Sequence, residues 1–135
     1  MNFTAKSDDV GKLLLRVAVG GLMLFHGVSK LSTGVAWIEG MLGGFGFMAY
    51  ATYLAEVLAP ILILVGVWTR PAALLIMIDM LTAILLVFGS AALTIKEMGG
   101  GWTIELEVFF LLSALALWFT GAGKYSIKKG IGVWD

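Results

Sequence analysis

The stretch Tyr50–Ala83, YATYLAEVLAPILILVGVWTRPAALLIMIDMLTA, decides the fold of this chain. It lies within two apolar runs, about 48–68 and 72–92, each of the roughly 20 residues with which an α-helix crosses ~30 Å of hydrocarbon. The turn Trp68-Thr69-Arg70-Pro71 joins them: proline suits the first turn of a helix, and tryptophan and arginine suit the lipid headgroup layer. The stretch therefore predicts a helical hairpin inside a membrane.

The composition points to the same class of protein. Of 135 residues, 60% are hydrophobic, against ~45–50% in soluble domains, and the mean hydropathy is +0.99. Formal charge is zero and there is no basic block, so nothing indicates nucleic-acid binding. Cysteine is absent, which removes thiol nucleophiles and thiolate metal ligands. We expect one integral membrane domain over residues 1–135, in which any redox chemistry uses a bound or borrowed group.

Two more apolar runs, about 10–31 and 103–120, complete four predicted spans and an all-α, four-helix transmembrane bundle. On a helical wheel, small and cationic side chains of the first span fall within one narrow arc, which should face the other helices. This stripe consists of Arg16, Gly20, Met23, Gly27 and Lys30.

The connection 32–47 is rich in glycine and contains Trp37, so it cannot be a regular span. We expect a loop with one short interfacial helix, about 35–42, anchored by that tryptophan. Seven of the nine lysines and arginines lie on the side that holds both termini and the 68–71 turn. The positive-inside rule then predicts cytoplasmic termini and an extracytoplasmic 32–47 connection. We expect a multi-pass protein of the bacterial plasma (inner) membrane.

Ionisable side chains within the spans need partners, because a carboxylate in hydrocarbon costs at least ~2.5 kcal/mol. Counting ~1.5 Å per residue along each helix, Arg16 and Asp79 lie at similar depths near the cytoplasmic side. The sequence therefore predicts a buried ion pair between them, which serves either to orient the bundle or directly in function.

A second polar cluster is predicted in the outer half of the bundle. It comprises His26, Lys30 and Glu56 with one glutamate of the fourth span, Glu105 or Glu107, and it is the candidate ligand-binding site. A histidine beside a carboxylate can exchange protons or hydrogen-bond a quinone carbonyl, although the same residues would also form a closed ionic network. With one histidine, no cysteine and no Glu-x-x-His repeat, we predict no metal site.

Three segments carry a resemblance to a known family. They are LLLRVAVGGLMLFHGVSKL (13–31), AEVLAPILILVGVWTRPAALLIMIDMLTA (55–83) and GAGKYSI (121–127), and they resemble the DoxX family of small four-helix membrane proteins. The resemblance is specific in Arg16…His26-Gly27…Lys30-Leu31, in Glu56, in the Gly66…Thr69-Arg70 turn and in Lys124-Tyr125-Ser126. Ala122 and Lys124 depart from the more usual Gly-Pro-Gly-Arg-Tyr-Ser. The resemblance implies an integral membrane protein, in some members a subunit of thiosulfate:quinone oxidoreductase or a partner in redox-stress complexes.

Three functions are compatible with these residues. The first is a redox-associated subunit that binds quinone, or docks an oxidoreductase subunit, at the outer cluster. The second is a small proton-coupled transporter that uses Glu56 and Asp79, although Pro60 is the only helix breaker and paired unwound segments are lacking. The third is a structural or assembly protein without a ligand. Partners consistent with the sequence are the lipid bilayer, an oxidoreductase subunit and further copies of this chain.

Overall fold

The structure, a computed structural model, describes residues 3–135, with side chains from residue 6 onward, and it is helical. Turns of 3₁₀-helix at Gly43–Tyr50 and Gly89–Leu93 and of π-helix at Leu54–Leu58 and Ala83–Phe88 connect shorter α-helices into longer segments. The α-helices are α1 (Phe3–Thr33), α2 (Ala36–Leu42), α3 (Ala51–Tyr53), α4 (Ala59–Val65), α5 (Thr69–Thr82) and α6 (Glu105–Thr120).

Three helical segments of the described chain are long and apolar enough to cross a membrane: Lys6–Thr33, Ala36–Val65 and Thr69–Leu93. The fourth helical segment of the bundle is α6, which has 16 residues and is therefore ~24 Å long. Many large apolar side chains face outward, Leu14 and Phe25 among them at 64% and 75% exposure, as expected of a surface solvated by lipid. The chain is a multi-pass membrane protein.

The helices pack as an antiparallel bundle, α1 mainly against α4 and α5 mainly against α6. Apolar side chains from four helices meet in one core, in which Val19, Ile63, Ile76 and Leu117 are at most 1% exposed. We call the end that holds the α4–α5 turn and residues 121–135 the tail end, and the opposite end the cavity end.

The connection 32–47 is more helical than the sequence suggested. Only Gly34 and Val35 lie outside helical turns, and α2 forms within the predicted range. Positive φ angles at Gly34 (78°) and Gly43 (54°) break the helix at both ends of α2. Val35, Ile38 and Ala49 bury against one another in a small core of their own, which holds these turns in place. The prediction of a loop around one short helix is therefore only partly right.

The stripe on α1 faces the bundle as predicted: four of its members are buried and Lys30 is half-buried. At Gly27 the backbone of α1 lies directly against the carbonyl of Glu56, where a Cβ atom would come within 2.1 Å of the carbonyl oxygen. Only glycine allows this approach. The contact places the end of α1 against the π-helical turn Leu54–Leu58.

The π-helical turn has an identifiable cause. Pro60 lacks an N–H group, so it cannot donate to the carbonyl four residues earlier, which is that of Glu56. The N–H of Ala59 instead reaches back five residues to the Leu54 carbonyl. Such turns often mark functional sites in helices, and this one carries the buried Glu56 side chain.

The contact at Gly27 generates a prediction. Gly27→Ala should lower the free energy of unfolding by about 1–3 kcal/mol, because the added methyl group forces α1 away from the π-helical turn. Gly21→Ala is the matched control on the same helix, where a Cβ meets nothing within 4 Å. It should be neutral or stabilising by up to ~1 kcal/mol. Reversible unfolding in mixed micelles measures both, and equal effects would contradict the close approach.

Candidate functional site

A cavity of about 400 Å³ lies at the cavity end of the bundle. It is bounded by the last turns of α1, by α2, by the π-helical turn at 54–58, by the end of α5 and by the start of α6. Its walls are largely apolar and include Met23, Ile38, Met41, Met48, Met80 and Phe110. Its polar members are His26, Lys30, Thr52, Glu56, Asp79, Thr82 and Glu107.

A buried ion pair forms the floor of this cavity. Nζ of Lys30 donates to Oε1 of Glu56, and the two side chains are only 17% and 6% exposed. The Tyr53 hydroxyl donates to the Lys30 carbonyl at 3.2 Å, which holds the end of α1 in place. Because charges out of water are costly unless paired, this contact fixes α1 against the second helical segment.

Two further carboxylates share the cavity with the ion pair. Asp79, half-buried on α5, lines the cavity together with Glu56. Glu107 enters from α6. Oε2 of Glu56 and Oε2 of Glu107 are both buried and have no hydrogen-bond partner among the described residues. Three carboxylates therefore face one ammonium group and one imidazole.

His26 lies in the cavity wall without joining the ion pair. Its ring packs edge-to-face on Phe110, with 5.8 Å between ring centroids and 89° between ring planes. The sequence placed His26 and Glu56 at matched depth, and both line the cavity, but the partner of Glu56 is Lys30. His26 is thus placed to contact an occupant.

The two glutamates of α6 separate in the structure. Glu105 is exposed and pairs with Lys96 of the preceding loop at 2.8 Å. It does not line the cavity, whereas Glu107 does. The cluster predicted from sequence therefore comprises His26, Lys30, Glu56 and Glu107, and Glu105 belongs to the loop.

The predicted ion pair between Arg16 and Asp79 is wrong. The guanidinium of Arg16, 1% exposed, donates instead to four backbone carbonyls at the tail end. Nε donates to Ile63 at 2.8 Å and one terminal nitrogen to Leu64 at 2.6 Å. The other terminal nitrogen donates to Ala122 at 3.1 Å and to Tyr125 at 2.6 Å.

The physical reason lies in the helix ends. The Leu64 carbonyl near the end of α4 and the Ala122 and Tyr125 carbonyls beyond α6 have no backbone donor in the described chain, and the Ile63 carbonyl has only the N–H of Gly66 at 3.2 Å. The carbonyls of α4 also sit at the negative end of its helix dipole. Arg16 lies level with them and offers five N–H groups in a fork. Asp79 lies about ten residues into α5, or ~15 Å from the tail end, beyond the reach of Arg16.

Comparison with known proteins agrees with the resemblance noted in the sequence. Residues 11–89 match the DoxX family model. The chain belongs to the DoxX family. A curated relative, "Putative oxidoreductase CatD" of Bacillus subtilis (strain 168), is 32% identical over 119 residues, which cover 87% of this chain and 84% of that protein. No solved structure matches the chain.

The DoxX match covers most of the cavity. It includes His26, Lys30, Glu56 and Asp79, whereas Glu107 and the carbonyls after α6 that bind Arg16 lie outside residues 11–89. The ionic floor of the cavity therefore belongs to the matched part of the chain, and α6 closes it.

Sequence reasoning missed the approach of Asp79 to Glu56, although the sequence contained the signal. Glu56 lies 11 residues before Val67 and Asp79 lies 11 residues after Trp68. An antiparallel hairpin that turns at Val67-Trp68 places two such residues at equal depth. Thr52 and Thr82 were also missed, and their pattern in sequence gave no signal.

Proposed function

We propose that this DoxX protein is the membrane-embedded, quinone-binding component of a redox system. The observation that carries the proposal is the cavity with apolar walls and an ionic floor, enclosed by membrane-spanning helices. Its volume of about 400 Å³ falls within the ~300–1,000 Å³ of small-molecule sites. A quinone offers a polar ring and an apolar tail, which match the floor and the walls.

The residues of the cavity have distinct roles in this proposal. The Lys30 ammonium has three N–H groups, and one of them donates to Glu56. The others can donate to a carbonyl oxygen of the quinone. His26 supplies a further polar contact beside the Phe110 ring. The methionines of the wall are flexible and polarisable, and they adapt to a planar ring.

The redox partner in this proposal is a separate oxidoreductase subunit. The chain has no cysteine and one histidine, so electrons would move between the quinone and a group that the partner holds. The curated relative is named "Putative oxidoreductase CatD", and this name supports a redox function. We propose that α2, with Trp37 53% exposed, lies in the membrane interface and covers the cavity.

The two alternative functions have less support. A purely structural cluster would be closed and fully paired, whereas this one borders a cavity and leaves two buried carboxylate oxygens without donors. A transporter needs a polar route to the other side of the membrane. Between the cavity and Arg16, however, the described core is apolar and includes Val19, Ile63 and Leu117.

The proposed location of the quinone is tested by filling the cavity. Ala83 lines it, and Ala83→Phe should weaken binding of a decyl-substituted benzoquinone at least ~10-fold, because the added ring occupies the ligand's volume. Ala91→Phe is the matched control, on an exposed residue outside the cavity. Quenching of tryptophan fluorescence in lipid nanodiscs reports binding, since Trp37 borders the cavity. Equal affinity in the two variants would reject this site.

We also propose that both termini face the cytoplasm of a bacterium, because seven of nine lysines and arginines lie on that side. Reporter fusions at residue 135 should be active only with a reporter that works in the cytoplasm. A fusion in the loop after Gly99, on the other side of the predicted membrane, should show the opposite pattern. A reversed pair of results would invert the proposed topology.

A further inference from the structure

The hydrogen-bonding groups of the cavity are unequally divided between acceptors and donors. Glu56 is 4% exposed, and its Oε2 atom has no donor among the described residues. Oε2 of Glu107 is likewise buried without a donor, and Asp79 is a third carboxylate in the cavity lining. Buried carboxylate oxygens without donors are rare in folded proteins and call for an explanation.

The available donors are fewer. The hydroxyl of Thr52 donates to the Ala49 carbonyl at 2.7 Å, and that of Thr82 donates to the Ile78 carbonyl at 2.8 Å, so both protons are used within the helices. Lys30 already donates to Glu56. This leaves the other N–H groups of Lys30 and one imidazole nitrogen of His26 for an occupant.

The redox state of the ligand changes which of these groups it can satisfy. A quinone has two carbonyl oxygens, which only accept hydrogen bonds, and it would place them beside carboxylates. A hydroquinone has two hydroxyl groups, each of which donates one hydrogen bond and can accept another. It can donate to the carboxylate groups of Asp79 or Glu107, which line the cavity, while it accepts from Lys30.

We infer that the cavity selects the reduced, hydroxyl-bearing form of its ligand, a hydroquinone, over the quinone. The inference rests on the proposed function. Sites built to pair a ligand hydroxyl discriminate strongly against analogues without it, because their own polar groups are then left unpaired.

The test compares three ligands with the same tetramethyl-substituted ring: tetramethyl-1,4-benzoquinone, its hydroquinone, and the dimethyl ether of that hydroquinone. Affinities are measured without oxygen by calorimetry on the full chain in nanodiscs. The hydroquinone should bind at least ~10-fold tighter than the other two. The ether is redox-inert and has a methyl group in place of each hydroxyl proton, so it keeps the acceptor oxygens without the donors and separates hydrogen bonding from oxidation state.

Variants assign the preference to particular oxygens. Glu107→Gln replaces an acceptor oxygen by an NH₂ donor, so it should reduce the preference for hydroquinone several-fold and strengthen quinone binding. Glu56→Gln should act in the same direction. Glu105→Gln is the control, because Glu105 lies outside the cavity and pairs with Lys96. A preference unchanged in both cavity variants would overturn the assignment.

Three outcomes separate this inference from the proposed function. Quinone affinity equal to or above hydroquinone affinity overturns the inference and leaves the quinone site standing. Failure of all three ligands to bind overturns both. Tighter binding of tetraphenylphosphonium, in competition with the hydroquinone, would show that the carboxylates select positive charge, and it would also overturn the inference.

Discussion

The buried ion pair between Lys30 and Glu56 is the interaction on which the rest of the structure depends. A carboxylate at membrane depth is stable only with a partner. The side chain of Glu56 is 6% exposed, and its partner, Lys30, comes from α1. The contact requires α1 to lie close to the π-helical turn at 54–58, which Gly27 permits and Pro60 induces. The ion pair, the glycine and the proline therefore all act on the same contact, that between α1 and the π-helical turn.

Two charged residues of α1, Arg16 near its middle and Lys30 near its end, have partners of different kinds. At the tail end, Arg16 donates to four backbone carbonyls, two in the last turn of α4 and two beyond α6. Its guanidinium is therefore paired with the protein itself. At the cavity end, Lys30 pairs with one of three carboxylates, that of Glu56. The guanidinium of Arg16 is paired with carbonyls, whereas the cavity end keeps buried carboxylate oxygens without donors in the described chain, beside a cavity of about 400 Å³. We therefore propose that a ligand would bind at the cavity end.

Much of the fold followed from local sequence patterns, whereas the partners of the charges did not. Run length, the 68–71 turn and the arc of small residues on α1 are properties of single segments, and they predicted the helices and the buried face. The partner of Arg16 was predicted wrongly because its depth was compared only with that of charged side chains. Backbone carbonyls near the helix ends are the acceptors that it reaches. The volume of the cavity depends on how α2 and α6 pack over the floor, which no single segment encodes.

The most direct test of this account is a double-mutant cycle on Lys30→Met and Glu56→Gln, followed by unfolding in mixed micelles. Each single change leaves a polar group without its partner, so the cycle should give a coupling of about 1–3 kcal/mol. The same cycle on the exposed pair Lys96 and Glu105 should show little coupling. Additive effects at Lys30 and Glu56 would contradict the account, because the ion pair would then not hold α1 in place.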